Sequence, residues 1–541
     1  MKIKRIDSLN DERFKKCVLN QHGAFLIDDK FVCEFEIINT EEAIVSYNEP
    51  FDIIEVIEEF RFYSKHIIRF YNDKKELIIE YSSNQVFWLN VAKIQPSQIY
   101  ISEDKMKAIS TFINDETDII IPVAVINKNY VSLDGHTRLY YAYQKGFKKV
   151  RVLLSDFDPT ITKFVEESTN RGVYNVSDMI LLSHNEYLKK WYSLCDLINR
   201  EKNRKLVILL DMFGCPNRCK HCFVGHSPNL KIDDDSDIKV VNYFKPFFDE
   251  IKFYSWTREP DYTEDFESRW IKDCDISINS KPQRFELASF YKIVREPEYV
   301  KFLKKVGTKK VQISFFGLEE NTDYFIGRKG AFKELLKATE ILIDNEIAPR
   351  YQVFINKKNK NEIIKLIHLT EELGLKERCQ KFGQEFKLFI NEGSPDGENR
   401  KLMDLRIDFE DIDKELISYY FDYENLKTES DFVEALKHDD TYLKYEYKDE
   451  MVLYISNTFD VYYNFTEMSP KWKIGNLINE NKDELMRKIL NLDVEAINIA
   501  KKTPISYLIN EYGDSNSKKV FSRNDYLHYL LLLHLDKGGE M

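Results

Sequence analysis

Residues 205–222, KLVILLDMFGCPNRCKHC, join a short apolar run to three cysteines within eight positions: Cys215, Cys219 and Cys222. The apolar run reads as the first strand of a region in which strands and helices alternate. The thiols then fall on the loop just beyond its carboxyl end, where ligands gather in parallel α/β sheets. Downstream, EIKFYSW, FELASFYKIV, KVQISFFG, PRYQVFI and FKLFINEG read as further strands. Helical stretches such as AFKELLKATEILIDN and KNEIIKLIHLTEELG lie between most of them. This alternation implies a parallel sheet covered by helices. Six strands predict a partial (β/α)6 barrel over 205–400, since a full eight-stranded one needs about 250 residues.

The chain has eight cysteines. Cys17, Cys33, Cys195, Cys274 and Cys379 are scattered singly, as reduced thiols of a cytosolic protein are. Thiolates four and three residues apart on a tight loop can converge on one face of an iron–sulfur cluster. Three of them leave the fourth iron of a 4Fe–4S cluster open to a small molecule. The competing arrangement is a structural zinc site in which His226 completes a Cys3His set, although zinc sites favour two-residue gaps between paired cysteines.

With its CxxxCxxC spacing the cysteine segment resembles the radical S-adenosylmethionine (SAM) superfamily, with His221 where that family usually has an aromatic residue. The resemblance implies a TIM-like partial barrel, a 4Fe–4S cluster on Cys215, Cys219 and Cys222, and SAM on the open iron. One electron from a donor such as flavodoxin or ferredoxin would then cleave SAM to a 5′-deoxyadenosyl radical that abstracts hydrogen from substrate. Ser255-Trp256-Thr257-Arg258-Glu259-Pro260 is similar to the family's Gly-Gly-Glu-Pro segment. Both glycines are replaced, so only Glu259 is carried over, as the group that meets the SAM amino group. QISFFGLEENTDYFIGRKGAF resembles the segment that holds the SAM ribose and carboxylate, which implies Ser314 and Arg328 as contacts; Asn356, ending the next strand, is a further one. A guanidinium presents two parallel donors to a carboxylate.

Residues 1–88 read as short β-rich segments. Residues 89–160 resemble the ParB/sulfiredoxin-like α+β fold. Leu133-Asp134-Gly135-His136-Thr137-Arg138 sits at a strand-to-helix junction, and Asp134, Gly135, His136 and Arg138 are expected around a phosphate. Relatives use such a site for nucleotides, phosphoryl transfer or DNA partitioning. Residues 161–204 read as a helical connector. Residues 401–541 read as a helical connector and a small α+β cap whose segment MVLYISNTFDVYYNF and sequel resemble SPASM or twitch extensions. Those extensions normally carry cysteines for further clusters; no cysteine follows Cys379 here, so a single cluster is expected.

Bulk properties narrow the function. The 541 residues carry a net charge of −12, and residues 89–160 hold nine Lys/Arg against eight Asp/Glu, so DNA is not an expected partner. Neither a secretory signal nor a membrane span is read, and the expected location is the cytoplasm. Three functions follow: radical modification of a peptide or protein side chain, radical chemistry on a nucleotide or phosphorylated metabolite, and a nucleotide-sensing regulator with a structural metal.

Overall fold

A computed structural model describes residues 1–8, 10–48, 51–82, 86–199, 204–447, 449–464 and 467–539. The chain forms two compact units, one of residues 1–201 with 245–247, the other of 202–244 with 248–541.

The first unit begins with six strands paired in sequence order: Ile3–Arg5, Ala24–Ile27, Phe31–Ile37, Glu42–Tyr47, Arg69–Asn72 and Leu77–Glu80. All neighbours are antiparallel except the fourth and fifth. Those two run parallel because the helix Ile53–Tyr63 carries the chain across between them. Phe25, Phe35, Phe60 and Phe70 fill its core, with Phe35 stacked on Phe60 at 4.3 Å.

A mixed five-stranded sheet follows, in the order Val86–Asn90, Lys149–Leu154, Ile120–Ile126, Asn129–Ser132, Ile94–Pro96. Its hairpin turns at Asn127 and Lys128, both at positive φ, the backbone that two-residue turns between twisted strands require. The helix His136–Gln144 starts at Gly135. A further helix spans Glu103–Ile109. The connector is more than helical, since Ile180–Leu182 returns to pair with Tyr100–Ser102.

In the second unit, β1 (Lys205–Leu210) and β2 (Glu250–Tyr254) are parallel neighbours, and β3 (Lys310–Phe315), β4 (Ala348–Phe354) and β5 (Lys387–Asn391) form a separate parallel sheet. β6 (Met451–Ile455), which opens the segment MVLYISNTFDVYYNF, pairs parallel with the other edge of β1. β7 (Asp460–Tyr463) and β8 (Lys473–Asn476) continue antiparallel from it. Flanked by strands on both edges, β1 buries all but its first residue.

One expected strand is absent. FELASFYKIV does not extend beside β3; its second half is the helix Phe290–Arg295. Ser289 stops the extended run, because its hydroxyl accepts the Lys292 amide at 3.3 Å and so caps a helix instead. The stretch touches β3 through the Gln312 amide, which donates to the Glu286 carbonyl at 2.7 Å.

Alternation along β3 and β4 sorts their faces. Val311, Ile313, Phe315, Tyr351 and Val353 pack with Leu335, Ala338 and Leu342 of the helix Ala331–Asp344. Gln312, Ser314, Arg350 and Gln352 lie on the opposite, half-buried face, where Gln312 donates to Gln352 at 2.5 Å. Among the described residues no helix is long and apolar enough to cross a membrane. Leu335→Ala is expected to cost about 2–5 kcal/mol through the cavity it leaves. Lys333→Ala, on the exposed side of the same helix, should leave the unfolding midpoint unchanged. Urea denaturation of the two variants checks both.

Candidate active site

The loop that leaves β1 is anchored at both ends. Gly214 takes φ 77°, and a Cβ there would lie 1.9 Å from the Asn229 side-chain oxygen, which accepts the Cys215 amide at 2.8 Å. Midway, the Lys220 amide donates to the Phe325 carbonyl (2.8 Å), and at the far side the Glu398 amide donates to the Cys222 carbonyl (2.9 Å). His221 is held between rings, 4.5 Å from Phe316 and 5.1 Å from Phe354. Burial pushes its pKa down to about 4, so it stays neutral and packs as the usual aromatic residue would.

Burial pushes the Cys215 thiol up to about 12 and raises Cys219 and Cys222 as well, and Cys219 is raised further by the other two. His226 faces the Cys219 carbonyl oxygen (3.1 Å) and Glu398 (3.7 Å). Among the described residues no three His, Cys, Asp or Glu gather closely enough to hold a single metal ion. A 4Fe–4S cluster does not need that, because each thiolate takes its own iron.

Arg258 is an anchoring residue that the family resemblance passes over. Its buried guanidinium donates to Asp211 just beyond β1, Nε at 3.0 Å and Nη2 at 2.7 Å, and to the carbonyls of Ser227 (3.0 Å) and Pro228 (3.2 Å). It pins the back of the cysteine loop to the strand that carries it. A signal existed: an aspartate directly after a fully buried apolar strand needs a partner.

Glu259 is 7% exposed, accepts from Asn217 of the cysteine loop at 3.3 Å and also from Ser289. Burial raises its carboxyl to about 7, while the Ser289 and Asn217 hydrogen bonds and the Arg328 charge pull the other way. Arg328 is fixed by Glu334 at 2.6 Å, yet its Nε and Nη2 are buried without a hydrogen-bond partner. Ser314 lies on the polar face of β3. Asn356 is buried, and its side-chain oxygen accepts the Lys358 amide at 2.9 Å.

The residues fit the cofactors that the sequence implies. Three thiols within electrostatic reach of one another suit a cluster, whose positive irons replace the protons that burial now keeps on sulfur. Arg328 has two unpaired donors, the pattern a carboxylate fills, and Glu259 bridges to the cysteine loop.

Residues 209–372 match the model of the Radical SAM superfamily. The Fe-coproporphyrin III synthase of Methanosarcina barkeri (strain Fusaro / DSM 804) is 23% identical over 217 residues, 39% of this chain and 52% of that protein. The chain thus spans about half the length of the curated relative it matches. Among solved structures, native anSMEcpe with bound AdoMet aligns at TM-score 0.36 and 14% identity, over 61% of this chain and 97% of that one. Streptococcus suis SuiB bound to precursor peptide SuiA aligns at 0.28 and 11%, over 59% and 78%. The match over residues 209–372 is to the radical SAM superfamily, whose members use a 4Fe–4S cluster and S-adenosylmethionine.

Proposed function

We propose that the chain is a radical SAM enzyme acting on a peptide or protein side chain, with Cys215, Cys219 and Cys222 holding one cluster. The observation that carries the enzymatic reading is the pairing of the three-cysteine loop with the two unpartnered Arg328 donors and the buried Glu259. The peptide class rests on the likeness of the C-terminal segment to twitch extensions. When bound, the cluster and SAM supply one-electron cleavage of a sulfonium bond and removal of a hydrogen atom from substrate.

The protein's share is positioning. Arg328, oriented by Glu334, offers Nε and Nη2 side by side to the SAM carboxylate. Glu259 meets the amino group, whose positive charge favours the carboxylate over the acid that burial otherwise promotes. Ser314 and Asn356 are assigned to the ribose side. β1–β5 are read as the partial barrel, residues 89–160 as ParB-like, and the C-terminal part as a cysteine-free cap.

Flavodoxin or ferredoxin is the proposed electron donor. Lys220, between two of the cysteines, and Lys358 bracket the half-exposed Tyr324 at 4.9 and 3.5 Å, with exposed Arg218 in the same loop, a basic surface suited to an acidic carrier. Radical chemistry on a phosphorylated small molecule is the second reading, favoured by the cationic cavity described below.

After anaerobic reconstitution with iron and sulfide, SAM and dithionite should yield 5′-deoxyadenosine from the wild type and none from Cys219→Ala. A colourless wild type loading one zinc per chain would refute the assignment. Arg328→Gln should weaken SAM binding about 10–100-fold, the value of a charge-assisted hydrogen bond. Wild-type affinity should fall as pH drops through about 7, because a protonated Glu259 cannot neutralise the SAM ammonium. Glu259→Gln should flatten that profile, and equilibrium binding at about pH 6 and 8 decides it.

A further inference from the structure

The first unit contains a cavity of about 430 Å³. Pockets that enclose small molecules fall at about 300–1,000 Å³, so this one has room for more than a bare phosphate. Its walls come from two different sheets. The five-stranded sheet and its helices supply the junction Asp134–Arg138 with Lys105 and Arg151; the N-terminal six-stranded sheet supplies Arg5, His22 and His66.

On the first side, Gly135 takes φ 72°, and a Cβ there would crowd the Arg138 guanidinium at 3.1 Å, so the glycine lets Arg138 fold against the start of its own helix. No side chain caps that nine-residue helix, and its dipole favours an anion at this end. Arg138 is 3.9 Å from Asp134, whose Oδ2 is buried without a hydrogen bond. Lys105 has the Tyr187 hydroxyl at 3.4 Å and the Tyr187 ring at 4.9 Å beside its ammonium.

On the second side, Arg5 lies 2.7 Å from the His22 ring nitrogen Nδ1, is paired with Asp7, and covers the Tyr63 ring at 4.0 Å, while its Nε is buried without a partner. The two sides feel each other. Burial together with Arg5, Arg138 and Lys105 pushes His22 down to about 4, against the pull of Asp134, and burial with Arg138 and Arg151 pushes His66 down to about 3. Across the lining, Arg5, Lys105, Arg138 and Arg151 face Asp7, Asp118 and Asp134. Cations outnumber carboxylates, and burial with the neighbouring cations holds His22, His66 and His136 below the usual imidazole range.

We infer that residues 1–81 complete a binding site for a phosphorylated small molecule bearing a second anionic group. The phosphate sits at the helix start with Arg138, and the second anion is met by Arg5 and His22. The N-terminal sheet is then a recognition wall, and the inference stands apart from the cluster chemistry of the second unit.

Calorimetric titration of the full-length chain tests it, with ADP, 3-phosphoglycerate, inorganic phosphate and adenosine as probes. At least one bis-anionic probe should bind tenfold or more tighter than phosphate, with no heat from adenosine. Arg138→Gln should abolish binding of every anion. Arg5→Gln and His22→Gln should weaken the bis-anionic probe tenfold or more and leave phosphate affinity unchanged. Where Arg5→Gln lowers the thermal midpoint, His22→Gln and the charge-keeping Arg5→Lys, expected to retain binding, carry the comparison. Absence of binding by every anion, adenosine binding as tightly as ADP, or wild-type affinity in both sheet variants overturns the proposal.

Discussion

The buried pair of Arg258 and Asp211 is the contact on which the candidate active site rests. β1 is enclosed by β2 and β6, so the chain leaves it in an apolar environment where a lone carboxylate is costly. Arg258 answers that charge from the next strand-end and reaches two carbonyls of the returning loop with its remaining donors. Removing one partner of such a pair ordinarily costs about 3–5 kcal/mol, because the other is left charged and dry. The contact therefore fixes the cysteine loop with respect to the sheet before any cluster is present.

Around that anchor the groups share one electrostatic condition: each is unfavourable alone. The thiols are raised by burial and by one another, Glu259 is raised by burial, and Arg328 keeps two donors unpaired in a buried setting. A cationic cluster, an ammonium and a carboxylate would relieve the three in turn. This is how preorganised sites differ from packed cores, where such groups are already paired. In the first unit, burial and neighbouring cations likewise depress His22 and His136.

Local chemistry made part of this legible in sequence. The apolar run LVILL and the cysteine spacing declare themselves without tertiary information, as do the alternation of β3 and β4 and the Gly135 junction. Where partners are distant, reading failed. FELASFYKIV has the composition of a strand, but Ser289 caps a helix and spends its hydroxyl on Glu259. β6 reads as one arm of a local hairpin, and nothing in its own residues tells that its other edge pairs with β1. Arg258 occupies a position expected to hold glycine, and its role appears only once Asp211 is seen beneath it. Asn356 and Ser314 were readable as strand-end polar residues, yet Asn356 also satisfies its own turn.

The C-terminal residues also hold the rim of the cysteine loop. The Gly397 amide donates to Glu467 (2.8 Å), the Met468 amide to the Val224 carbonyl (3.1 Å), and Asp396 is paired with the half-buried His528 at 2.6 Å. Burial alone would lower the His528 pKa, and the hydrogen bond and charge of Asp396 raise it instead. Backbone hydrogen bonds from Glu398 and Met468 thus grip Cys222 and Val224 directly, and the helix Arg523–Asp536 backs this segment through His528. In this segment the polypeptide itself supplies a hydrogen-bonded constraint on the cysteine loop.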